Sequence, residues 1–320
     1  MVPLKGPDVS RRSPRRHSSY TSYPSGEGDL PSLVLLEQFS QRSLQQWAAS
    51  AKKLNELHRA LFFGLEQARQ QFSRELTEAV RTNLNPGQVF DGWARIVDYR
   101  YCLAPLSVAG SLKGSGGRFN IGRGLNAAVF PSFPALYVAE DYPTAFRERF
   151  GSEIGATPGG LAAEELALRA PASFTHVALR GQVELVIDVG EPHSLQAFAA
   201  VLRRFSVPDH IHRISRQLGM RSPPSLVRSA GGLQRQLLLP EWRAMPAQFD
   251  LPSNSQVFGR IAVAAGAHGI LYPSARHAGK RCLALFPQNW NSSSSYVEVR
   301  DGAPAGAQLV RLDGSTTAPS

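Results

Sequence analysis

Residues 114–120 read GSGGRFN, and from Tyr137 the chain continues YVAEDYPTAFRERF. Glycines let backbone approach closely, and an arginine among them points to an anion, because a guanidinium is a rigid fork of donors that stays charged at neutral pH. Around Arg118 stand other residues able to do chemistry: Arg95 or Arg100 upstream, then Tyr137, Glu148 and Ser274. Two arginines suit a diphosphate. A tyrosine ring can stack on a flat heterocycle while its hydroxyl keeps a polar contact. A carboxylate can hydrogen-bond a ribose hydroxyl and stabilise positive charge at an anomeric carbon, and a serine hydroxyl can hold that carboxylate or an amide. Diphosphate, heterocycle, ribose and labile glycosidic bond together describe NAD. Each residue also has a structural reading. Arg95 could pair with Asp98 or Asp91, Tyr137 could sit in a strand's core, Glu148 could lie on a solvated helix face, and Ser274 could finish the turn after Pro273. The inference needs the whole set.

Other chemistries fit less well. No GK[ST] follows the glycines, so they do not form a P-loop, and Phe119 stands where a dinucleotide fingerprint needs its third glycine. No GxSxG elbow is present. His210 and His212 could bind metal on a strand but have no further ligand cluster nearby, and the two cysteines, Cys102 and Cys282, are far apart, so neither a metal site nor a disulfide framework is expected. The formal charge of +10 favours anionic partners. No apolar run approaches the roughly eighteen residues of a membrane span, and no apolar segment follows the basic N-terminus, so no membrane association is expected and the cytoplasm is the expected location.

The elements that must position these residues can be read from pattern. Residues 1–31, rich in Ser, Pro, Gly and Arg, read as a disordered basic tail. Residues 32–88 read as a helical segment: Leu44, Trp47, Ala51, Leu54, Leu57, Leu61, Leu65, Phe72, Leu76 and Val80 form one stripe, Ser40 or Ser43 could cap it, and NLNPGQ stops it. WARIVDYRY, ALYVA, THVALRG, QVELVIDVG, GILYPS and RCLALFPQ read as strands, with a hairpin turning near Gly181 and Gln182. Helices are expected at PTAFRERF and at SLQAFAAVLRRF, the latter capped by Ser194. The irregular interleaving indicates an α+β domain over 91–290, and residues 291–320 read mostly as loop with room for a strand pair.

Three blocks in register, RIVDYRYCLAPLSVAGSLKGSGGRFNIG, FPALYVAEDYPTAFRE and GILYPSARHAGKRCLALF, resemble the RES domain family, named after its arginine, glutamate and serine. The resemblance implies an ADP-ribosyltransferase-like mixed β core with flanking helices, here with an N-terminal helical segment added. It places the family's arginines on Arg95 and Arg118, its tyrosine on Tyr137, its glutamate on Glu148 and its serine on Ser274. Phe119 stands where many members carry tryptophan. By this resemblance Glu148, Ser274 and Tyr137 are the catalytic group, while Arg95, Arg118, Gly117 and Tyr137 bind NAD as substrate, without a metal. The implied biology is that of a bacterial toxin that hydrolyses or phosphorolyses NAD, held in check by an Xre-type helix-turn-helix antitoxin through which alone it meets nucleic acid. ADP-ribosylation of a protein target is the alternative within the family, export as an effector is another biology for the same chemistry, and a non-enzymatic nucleic-acid-binding protein is the alternative from another class.

Overall fold

The computed structural model describes residues 41–151, 174–220, 224–303 and 305–316. The expected tail over 1–31 and the cap at Ser40 lie outside them. Among the described residues seven strands form one mixed sheet: β1 (Asn85–Asp98), β2 (Leu136–Ala139), β3 (Phe174–Asp188), β4 (Gly269–Pro273), β5 (Arg281–Leu285), β6 (Tyr296–Val299) and β7 (Arg311–Asp313). Their order is β1-β2-β5-β4-β3-β6-β7, and β1 also pairs with β3, so the first five close into a barrel-like ring with β6 and β7 extending from it. All pairings are antiparallel except β3 with β4. This is the α+β architecture, a mixed β core with flanking helices, that the sequence indicated; the structure adds its closure into a ring.

Alternation of side chains along each strand divides the core into two layers. On one face Leu136, Val138, Leu179, Val183, Leu271, Leu283 and Leu285 pack with Trp93 and Trp290. On the other Ala139, Ile187, Ile270, Tyr272, Cys282 and Ala284 meet the helices. Those helices are α1 (Gln41–Gln71), α2 (Ser73–Arg81), α3 (Tyr142–Phe150), α4 (Gln196–Leu202), α5 (Asp209–Gln217), α6 (Ala230–Leu237), α7 (Ala244–Phe249) and α8 (Asn254–Ala264). No helix among the described residues is long and apolar enough to cross a membrane.

The expected helical stripe is present, broken at Phe72 between α1 and α2. Leu57, Phe72, Leu76 and Val80 are buried, whereas Ala51 faces solvent; the side chains of Leu44 and Trp47 lie outside the described ones. Three local expectations are corrected. THVALRG and QVELVIDVG do not form a hairpin; they are the single strand β3. Gly181 reads as a turn signal but serves close packing, since a Cβ there would stand 2.5 Å from the Tyr296 carbonyl oxygen and 2.7 Å from the Phe90 ring. Ser194 does not cap a helix either: it is buried within a 3-10 turn, Pro192–Leu195, that leads into α4. The third concerns His210 and His212, which belong to α5 and not to a strand.

Candidate functional site

The ladder between β1 and β2 amounts to one residue pair, Ala94 with Ala139. Beyond it the two strands part, and a cleft of about 440 Å³ opens between them, lined by residues 94–98 of β1 and by Tyr137, Val138 and Ala139 of β2. Arg95 spans the gap. Its guanidinium donates to the carbonyls of Tyr137 (3.1 Å), Pro105 (3.0 Å) and Ser107 (3.0 Å). Asp98 pairs instead with Arg149 (2.6 Å) and Arg100 (3.4 Å), and Asp91 with Arg300 (3.4 Å), so the alternative ion pairs for Arg95 are not formed. Burial, with the like charge of Arg149 adding to it, brings the Arg95 pKa down to about 10, which still leaves it charged at neutral pH. Arg100 is exposed, stacks on Tyr101 and does not line the cleft.

The glycine turn forms another wall. Gly116 takes φ +94°, and Gly117 leaves room for Tyr137, since a Cβ at 117 would lie 2.5 Å from the tyrosine ring. The glycines thus admit an internal side chain rather than presenting an empty backbone cradle. Tyr137 is fixed by its hydroxyl, which accepts from the Phe119 N–H and donates to Asn120 Oδ1, each at 2.9 Å. Burial pushes its pKa well up, so the hydroxyl keeps its proton and the ring is what the cleft receives. Arg118, 7% exposed, donates through Nη1 to the carbonyls of Leu237 (3.3 Å) and Leu239 (2.8 Å), at and just past the C-terminus of α6. Cations are favoured there by the helix dipole. Among the described residues Nε and Nη2 have no protein partner.

Glu148 reaches the cleft from α3. Asp141 caps that helix by accepting from the Thr144 N–H at 2.8 Å, Pro143 lies in its first turn, and Gly151 ends it in a left-handed conformation. Glu148 Oε1 accepts a 2.6 Å hydrogen bond from Ser274 Oγ, 126 positions away. Ser274 Oγ in turn accepts backbone N–H groups from Arg276 (3.2 Å) and His277 (3.0 Å). A hydroxyl has one proton and two lone pairs. With both lone pairs occupied, the proton points at Glu148, so Ser274 finishes its turn and orients the carboxylate at once.

The expected residues therefore share one region: Arg95, Gly117, Arg118, Tyr137 and Glu148 line the cleft, and Ser274 holds Glu148 from just behind. The lining also contains Lys113, Arg149, Trp242, Arg243, Tyr272, Arg276 and Cys282, giving, among the described residues, six cations against two carboxylates, Asp98 and Glu148. Burial raises the Cys282 pKa, so its thiol stays protonated at neutral pH.

Two supporting residues were not singled out from sequence. Asn120 is fully buried, accepts from the Gly117 N–H (2.9 Å) and from Tyr137, and donates to the carbonyls of Ser111 (2.8 Å) and Phe133 (3.0 Å). Gln256 Nε2 donates to the carbonyls of Ser115 (2.7 Å), Gly117 (3.1 Å) and Asn120 (3.0 Å) while its Oε1 completes the capping box of α8 with Ser253. The S-x-x-Q spacing of Ser253 and Gln256 was a readable signal for the capping box, and Asn120 lies inside the glycine motif itself. The segment bearing Trp242 and Arg243 carries no comparable local mark.

A family model described as the RES domain matches residues 93–304. No curated protein matches the chain. Among solved structures, the crystal structure of the M. tuberculosis MbcT–MbcA toxin–antitoxin complex aligns with a TM-score of 0.40 at 15% identity, covering 75% of this chain and 91% of that one.

Proposed function

This chain belongs to the RES domain family, and from that membership together with the cleft we propose that it is a toxin-type enzyme that cleaves the nicotinamide–ribose bond of NAD. One observation carries the reading: Glu148, oriented by the Ser274 hydroxyl at 2.6 Å, lies in a cleft whose other charges are mostly arginine. That pairing suits a substrate with an anionic diphosphate and a ribose that becomes cationic. When the glycosidic C–N bond breaks, its electron pair returns to the nicotinamide ring nitrogen and neutralises it, leaving positive charge on the ribose. Glu148 stabilises that charge, the arginines hold the diphosphate, and the Tyr137 ring packs on the base. The nucleophile then adds to the anomeric carbon and loses its proton: water gives ADP-ribose, phosphate gives its phosphorylated form, and a protein side chain gives an ADP-ribosylated target. An Xre-type antitoxin is the partner that family membership brings to the reading.

The test is nicotinamide release from NAD by the full chain, with product identification in buffer alone, with phosphate and with cell lysate. Glu148→Gln keeps the side-chain shape and an acceptor for Ser274 but removes the charge, and is expected to lower the rate by about 10²–10³. An unchanged rate overturns the assignment. Salt-sensitive DNA binding without nicotinamide release would favour the nucleic-acid-binding alternative.

A further inference from the structure

The cations of the cleft differ in what already holds them. Arg95 has three carbonyl partners, Arg118 has Nη1 on two, and Arg149 is paired with Asp98. Arg243 and Arg276 are different. Both line the cleft, both are solvent-exposed, and among the described residues neither guanidinium has a hydrogen bond or a carboxylate within ion-pair distance. Each is nevertheless placed. Arg243 lies over the buried Trp242 ring, 4.5 Å from its centroid, on the connector that Arg118 anchors through Leu239. Arg276 belongs to the turn that orients Ser274, and its Nη1 rests on Gly151 at the end of α3, where a Cβ would collide with it. The two are close enough to repel. Partial desolvation, with the like charges of Arg276 and Arg118 adding to it, lowers the Arg243 pKa, and the attraction of Glu148 only offsets part of this.

Two guanidinium forks without a carboxylate partner among the described residues, converging from separate elements on one cleft, leave a place for a counter-charge that a ligand can bring. We propose that Arg243 and Arg276 are the anion-contacting pair of the cleft, each taking one phosphoryl group of a diphosphate, while Arg95 and Arg118 chiefly build the walls that place them. The identity of the diphosphate rests on the NAD reading; the pair itself rests on the arrangement of charges. Because both residues face solvent, their attraction for the ligand is screened by salt.

The experiment is calorimetric titration of the full chain with inorganic pyrophosphate, inorganic phosphate and ADP-ribose, each at low and high salt. The wild type is expected to bind pyrophosphate and ADP-ribose more tightly than phosphate, with affinity falling as salt rises. Arg243→Gln and Arg276→Gln should each weaken ADP-ribose at least tenfold with an unchanged melting temperature, and in turnover should raise KM for NAD more than they lower kcat. Arg→Lys at either position, which keeps the charge but loses the fork, should fall between. Arg300→Gln, outside the cleft and paired with Asp91, should bind like the wild type. Wild-type affinity for ADP-ribose in both glutamine variants overturns the pair, as does pyrophosphate binding no tighter than phosphate. Should a glutamine variant fail to fold, the lysine variant decides by the same criterion. Pyrophosphate binding that needs both arginines, in a chain that releases no nicotinamide, would leave the pair standing and remove the NAD reading. NAD turnover indifferent to both arginines would do the reverse.

Discussion

Ser274 Oγ donates its only proton to Glu148 Oε1 at 2.6 Å, and so ties the turn after β4 to a helix 126 positions earlier. A second tie lies one turn of α3 away, where Thr144 Oγ1 and His277 Nδ1 are 2.7 Å apart. The carboxylate is thus held by its own helix and by a turn that meets that helix twice. Hydrogen bonds to charged groups contribute about 1.5–3 kcal/mol. Ser274→Ala is therefore expected to slow nicotinamide release by roughly 10–100-fold while the chain stays folded, as judged by circular dichroism and steady-state rates side by side.

Gly117→Ala should act through Tyr137. A Cβ would stand 2.5 Å from the ring, which cannot withdraw because its hydroxyl is held from both sides. Overpacking of this kind costs about 1–3 kcal/mol, so a lower melting temperature and a reduced NAD turnover are expected together. Wild-type stability in this variant would mean that the tyrosine is free to move.

Asn120→Ala removes an acceptor for Gly117 and Tyr137 and a donor for Ser111 and Phe133 in one step. Buried groups left without partners cost about 1–3 kcal/mol each. A loss of about 3 kcal/mol or more in the urea unfolding free energy is the expected result, with an unchanged m-value if the native packing is otherwise kept.

The reach of the sequence is clearest at these positions. Arg118, Tyr137, Glu148 and Ser274 could be found because each sits in a short stretch with its own character: a glycine cluster, a β-rich run, a helix opened by Pro143, a turn after Pro273. The strands and helices bearing them were legible for the same reason. What failed was any reading that depended on a distant neighbour. Gly181 gives the same local signal whether the chain turns or Phe90 and Tyr296 press against it, and only the tertiary contact decides. Gln256 meets the glycine turn from 136 to 141 positions away, and Arg118 meets Leu237 and Leu239 at 119 and 121, so no window along the chain shows either partnership. Arg243 carries no local mark at all, because an arginine after a tryptophan looks like any surface arginine until the cleft is seen beside it.

Asp141 gives a prediction in pH. Burial alone would raise its pKa, but hydrogen bonds from Lys280 and from the Thr144 side chain and N–H outweigh that and hold it down to about 2, against an ordinary 3.8. A folded-state value below the unfolded one stabilises the native form fully above about pH 4, and the contribution disappears as pH falls through about 2. Asp141→Ala should therefore cost about 1 kcal/mol of stability at neutral pH, the usual worth of a helix cap. The gap between wild type and variant should close over the window from about pH 4 to about pH 2. Chemical denaturation across that range checks it, and a gap independent of pH would count against the carboxylate as the source.

The parting of β1 from β2 after their single residue pair has a dynamic consequence. Elsewhere around the ring each strand is laced to its neighbours by several residue pairs, β3 to β1 along nearly its whole length. Breathing of the barrel should concentrate at this one unlaced seam, where few backbone bonds must open. Amides of β1 from Arg95 onward would then exchange with solvent unevenly, slow where β3 holds them and fast where they face the gap. A molecule lodged in that gap would bridge the seam and slow the exchange, a sign of occupancy visible whether or not any bond is cut.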